Sequence, residues 1–120
     1  MARAVASVNT AEYEGMPNVL LEAWCRGVPA LVLSHDPDNV VTRYGLGGFA
    51  NDSRADFVEL AREQWVTRSD RAALAERCRA YVAQHHAPSV IAQQWLDLFG
   101  RAMPAADDLA VTAPEPTCAA

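Results

Sequence analysis

Apolar positions come as short solid blocks early in the chain and as spaced stripes later. Ala4 to Val8 and Ala30-Leu31-Val32-Leu33 are continuous runs of small or branched residues. Such runs predict strands buried on both faces, the kind that belong to parallel sheets covered by helices. Between them, Asn9 to Pro17 reads as a loop with Gly15 and Pro17 as breakers. A helix is predicted from about Pro17 to Arg26, with Pro at its start and Gly27 then Pro29 at its end. The first third therefore predicts a βαβ unit with the usual right-handed crossover.

The next stretch is more polar. His35 to Asn39 reads as a turn built on Asp36-Pro37-Asp38. Val40 to Asp52 carries Gly45, Gly47 and Gly48 and is predicted to end in a short strand around Gly48 to Ala50. Ser53 with Asp56 three residues later resembles a capping box. Phe57, Val58, Leu60, Ala61 and Trp65 then give a helix its apolar face. Ser69 is the expected cap of the next helix, where Leu74, Cys78, Tyr81 and Val82 form an amphipathic stripe. A further helix is predicted from Ser89, with Ile91, Trp95, Leu98 and Phe99 inward. From Met103 the chain is rich in Ala, Pro and Asp, and 103–120 is expected to be a disordered tail.

Two or three strands and four helices make an α/β fold with a partial Rossmann-like parallel sheet. A doubly wound sheet usually has about five or six strands. The organisation is that of the C-terminal half of a nucleotide-binding domain over 1–102, with the strands that should come first missing.

Composition narrows the classes. A net charge of −5 with ten scattered arginines and no lysine offers no basic stripe for nucleic acid. Cys25, Cys78 and Cys118 are odd in number and not spaced as zinc ligands, so they read as reduced thiols. The first residues do not resemble a secretory signal, and no apolar run approaches the roughly 20 residues of a membrane span. A cytoplasmic protein is expected, with peripheral attachment to a membrane surface left open. Nothing in the sequence calls for a metal or a cofactor.

The candidate chemistry lies between Glu14 and Glu22. At about 100° per helix residue, Asn18, Glu22 and Arg26 form a narrow polar stripe. Leu20, Leu21, Trp24 and Cys25 occupy the opposite side, so the stripe should face a crevice. The helix start offers free backbone N–H groups at the positive end of the dipole, which suits a diphosphate. Glu22 can accept hydrogen bonds from vicinal hydroxyls, as on a ribose, and Glu14 from a group beyond the phosphates. Gly15 permits close approach of a ligand to the backbone. The plainer alternative is that Glu22 and Arg26 form an i, i+4 surface salt bridge of about 0.3 kcal/mol while Glu14 favours the helix N-terminus.

Other residues carry less. His35 beside Asp36 is a turn residue or a contact to a nucleotide base at the carboxyl end of a strand. His85-His86 sits at a helix end, where cations are favoured. Trp24, Trp65 and Trp95 are expected in the core. The glycines from Gly45 to Gly48 open no helix and are not a dinucleotide fingerprint.

The string Glu14-Gly15-Met16-Pro17-Asn18-Val19-Leu20-Leu21-Glu22-Ala23-Trp24, followed by Gly27-Val28-Pro29, resembles the signature of family 4 GT-B glycosyltransferases: Glu, seven residues, Glu. Ser34 to Asp38 departs from the family's common form, while Gly45-Leu46-Gly47 resembles a turn some members have. The resemblance covers roughly residues 4 to 102, weakly in the helical part. It implies a retaining transferase with a nucleotide-diphosphate-sugar donor. Glu14 would contact the donor sugar as the catalytic carboxylate. Gly15, Met16, Asn18 and Val19 would face the diphosphate, and Glu22 would hold the ribose. It also implies an N-terminal domain, absent here, that binds a sugar or glycolipid acceptor. The chain alone would then be inactive. The alternative expectation is a truncated, non-catalytic nucleotide-sugar-binding module that needs a partner chain.

Overall fold

Three short strands lie side by side in the order β1 (Ser7–Asn9), β2 (Ala30–Val32) and β3 (Gly47–Phe49), and both pairings are parallel. The computed structural model describes residues 4–102; the tail expected over 103–120 and Cys118 lie outside them. These residues form two units, one ending at Ala87 and the other beginning at Pro88. The first unit is α/β, with a small parallel sheet and helices α1 (Asn18–Cys25), α2 (Val40–Tyr44), α3 (Arg54–Val66) and α4 (Ala72–His85).

Register sorts the side chains. Val8, Leu31 and Gly48 are partners across the sheet and share one face. The neighbouring rows, which contain Ala30 and Val32, share the other. That second face carries the core: Leu20, Trp24, Ala30, Val32, Val41, Leu46, Cys78 and Tyr81 pack together under α1 and α4. Trp24 is fully buried, its ring lies edge-on to Tyr81 at 5.5 Å, and its Nε1 donates to the Leu46 carbonyl at 3.3 Å. Burial pushes the Cys78 thiol up to about 11, so it serves as a neutral core group.

Helix α1 begins one residue later than expected, with Pro17 as its N-cap residue, and it ends as the sequence requires. Gly27 takes φ 70°. The Gly27 and Val28 amides then donate back to the carbonyls of Trp24 and Ala23 at 2.9 Å each, a Schellman closure. Gly27 also lies so close to Ala75 and Arg79 of α4 that no side chain fits there. Gly47 is tighter still, since a Cβ on it would land on the Ala30 carbonyl oxygen.

Several expectations need correction. The first strand starts at Ser7, not Ala4; the carbonyls of Ala4 and Val5 instead accept from the Arg71 guanidinium. Asp36 to Asn39 is more than a turn, because Pro37–Asn39 forms a 3-10 turn that leads into α2. Asp36 organises it from a site 8% exposed: Oδ1 accepts from the Val41 amide at 2.8 Å and Oδ2 from the Thr42 amide at 2.9 Å. The Thr42 hydroxyl adds a third bond at 2.7 Å. Ser53 does cap α3, accepting from the Asp56 amide at 3.2 Å. Its own amide goes to the Ala50 carbonyl, so the capping box is one-sided. Ser69 caps nothing; α4 starts at Ala72 after Arg71, with no side-chain cap.

Helix α3 covers the other face of the sheet sparsely. Leu60 sits over Gly48 and beside Leu31, yet no residue of α3 is fully buried. Val8 is 56% exposed and Trp65, expected in the core, is 58% exposed with the Arg68 guanidinium 4.4 Å over its ring. One flank of α3 (Asp56, Glu59, Glu63) shares a hollow with Phe49 of β3. The opposite flank is a groove of Phe57, Val58, Ala61, Trp65 and Val66, with Arg62 as its one charge.

The second unit is described here by α5 (Pro88–Ala102), which starts at Pro88, one residue before the expected Ser89. Pro at a first helical position loses no hydrogen bond. Trp95 and Phe99 stack at 5.5 Å; both, with Leu98, are exposed rather than inward. Among the described residues, no helix is long and apolar enough to cross a membrane.

Candidate functional site

The carboxyl ends of the strands gather the polar loops of the first unit. After β1 come Tyr13 and Glu14; after β2, Ser34 and His35; after β3, Asn51 and Asp52. The loops after β2 and β3 are tied together: the Asp52 amide donates to the Leu33 carbonyl and the Ser34 hydroxyl to Asp52 Oδ1, both at 2.8 Å. Asn51 and Asp52 turn the chain with φ of 47° and 65°, a conformation that Asn and Asp tolerate better than most residues. In open parallel sheets this end is where ligands bind.

Glu14 is exposed in its loop, and its Oε2 accepts from Asn9 Nδ2 at 2.9 Å. The position where a Cβ on Gly15 would stand has nothing within 4 Å, so space rather than a special φ distinguishes it. Met16 is partly buried. Its side chain packs against the core.

At the start of α1 the first amides with partners are those of Leu20 and Leu21, which both donate to the Pro17 carbonyl at 3.0 and 3.4 Å. Among the described residues no side chain caps this end, and the amides of Asn18 and Val19 have no partner there. Two exposed donors therefore stand at the positive end of the helix.

Asn18, Glu22 and Arg26 line a hollow of about 500 Å³ together with Leu21 and Cys25, which the helical spacing puts on the opposite side, Val82 of α4 and His86 just past its end. The salt-bridge alternative is not what forms. Arg26 Nη1 donates to the backbone carbonyl of Glu22 at 3.0 Å, and the ion pairs among the described residues are Arg62–Glu59 and Arg79–Glu76. The Glu22 carboxylate is left with its acceptor capacity unused among the described residues.

Two further residues contribute: Tyr13, which the sequence did not single out, and His86, which it offered only as part of a His85-His86 helix end. Tyr13 lies beside His35, ring centroids 6.5 Å apart, which pairs the loops after β1 and β2. His86 bonds Tyr81 Oη through Nε2 at 3.2 Å, and burial followed by the neighbouring His85 lowers its pKa. Tyr13 shows no periodicity or spacing that marks it. Among the described residues no cluster of His, Cys, Asp and Glu is placed to hold a metal. A comparison with known protein families, curated proteins and solved structures finds no match to this chain.

Proposed function

We propose that this chain is the donor-binding region of a retaining GT-B glycosyltransferase of family 4, acting on a nucleotide-diphosphate sugar in the cytoplasm. One observation carries the reading. The Glu14–Glu22 phrase lies on a loop and helix start with two unpartnered amides, and the Glu22 carboxylate is free to accept hydroxyls. Glu22 then holds the nucleotide ribose. The backbone from Gly15 to Val19 receives the diphosphate, and Glu14 takes hydroxyls of the donor sugar. Chemistry of this kind rests on positioning and on stabilising the leaving diphosphate at a helix N-terminus. The acceptor, a sugar or glycolipid, binds a separate N-terminal domain.

Calorimetry on the complete enzyme tests the roles. Glu22→Ala should weaken binding of the bare nucleoside diphosphate, while Glu14→Ala should impair sugar transfer more than that binding. Equal losses in both variants would count against the assignment.

A second reading is favoured by the open side of the sheet. The Ser7 amide and the Asn9 carbonyl both bond toward β2, so those of Val8, between them, point to the free edge. That edge, the exposed Val8 and the apolar flank of α3 suit a non-catalytic binding module that needs a partner chain. Turnover of a nucleotide sugar by the pure chain would sink this second reading.

A further inference from the structure

We propose that Asn9 is a positioning residue for Glu14, fixing the direction in which that carboxylate meets a donor sugar. This rests on the reading of Glu14 given above. Asn9 is the last residue of β1, and its carbonyl accepts from the Leu33 amide at 3.0 Å, so the sheet holds its main chain. Its Oδ1 accepts from the Ala11 amide at 2.7 Å. An amide N–H can only donate, so the oxygen of the side chain must face Ala11. The Asn9 amide group therefore has one orientation, and it turns Nδ2 to Glu14 Oε2 at 2.9 Å.

One side chain thus does two things. Its oxygen makes an Asx turn that bends the chain off the strand. Its nitrogen then ties the carboxylate of that same loop back to the sheet. Without the tie, Glu14 would be a long side chain in an exposed loop next to the empty space around Gly15. Ordering such a side chain at the moment of binding costs affinity, and Asn9 orders it beforehand. The bond takes up part of Oε2 and leaves Oε1 for hydroxyls.

Asn9→Asp separates the two roles. A carboxylate still accepts from Ala11 and keeps the turn, but it sets a like charge against Glu14 where the donor was. Affinities would be measured by calorimetry for UDP-glucose and GDP-mannose, each against its bare diphosphate. For whichever donor binds, Asn9→Asp should cost the nucleotide sugar up to roughly tenfold, the upper scale of ordering one rotamer-rich side chain on binding, and change the bare diphosphate less than about twofold. Glu14→Ala should do the same, and the double variant should be no worse than Glu14→Ala alone. Normal nucleotide-sugar affinity in Asn9→Asp, alongside a selective loss in Glu14→Ala, would overturn the proposal and leave the sugar contact standing. Equal loss of both ligands in Glu14→Ala, or no binding of either pair by the wild-type chain, would remove the sugar contact and the proposal with it. A ligand-free check follows the Asn9 side-chain amide protons by NMR. They should shift on Glu14→Gln, and an unmoved pair would mean that the tie does not form.

Discussion

The two faces of the sheet are finished to different degrees. Under α1 and α4, Leu20, Trp24, Val41, Leu46 and Cys78 are fully buried and pack into one cluster. Under α3, Leu60 reaches down to Gly48 but no residue of the helix is fully buried, while Val8 and Trp65 stand in water. Both sides are rich in apolar residues, so hydrophobicity does not separate them. Coverage does. Helix α3 also turns carboxylates toward β3 and apolar groups the other way. Charge beside one sheet edge and bare carbon on the other flank is how a sheet protects one side from association and leaves the other fit for it. The closed face holds α1, and so the candidate site, in place; the open face is where a partner would act under the second reading.

The contrast can be broken most directly at Trp24. Trp24→Ala should cost about 3–5 kcal/mol through lost packing alone, since the Leu46 carbonyl keeps its bond from the Ala30 amide, and abolish cooperative urea unfolding. A mild loss would mean the closed face is less tightly packed than described. Asp36→Ala should cost about 1–3 kcal/mol, since it strips partners from two amides at the start of α2. The same urea series measures it, with Asp36→Asn expected to recover part of the loss. Trp65→Ser, on the open face, should stay within roughly 0.5 kcal/mol of the parent. A penalty approaching that of Trp24 would erase the distinction between the faces.

The smallest effect is in pH. Because the folded-state pKa of His86 is lowered, the unfolded chain binds the proton more readily. The contribution to stability is complete above the ordinary histidine range and is lost as pH falls from about 6.5 toward the lowered value. His86→Gln should flatten melting temperature against pH in that window. An unchanged slope would assign the dependence to other groups.

Much of this was legible in the chain itself. The βαβ start, the Gly27 stop and the polar stripe of α1 followed from punctuation and helical spacing, because those features are local. Helix α2 was missed because its cap, Asp36, lies outside the helix and reaches over a turn in which Asp38 and Asn39 take positive φ. Trp65 and Trp95 were misplaced for a different reason. Periodicity shows which side of a helix is apolar, not whether anything covers it. Asn9 stayed hidden because an asparagine at the end of a strand is common, and its tie to Glu14 depends on a turn that only coordinates reveal.

The crowding at Gly47 bears on how the chain can vary. In a saturation library sorted for folding alone, the column for position 47 should be almost empty, because every other residue brings a carbon onto the Ala30 carbonyl. Position 15 should be populated freely in that same library, since nothing stands near it. Under the proposed function, the same library in the complete enzyme, sorted for sugar transfer, should empty position 15 as well. Comparing the two sorts would separate glycines the fold demands from glycines the ligand demands, without a structure of either variant.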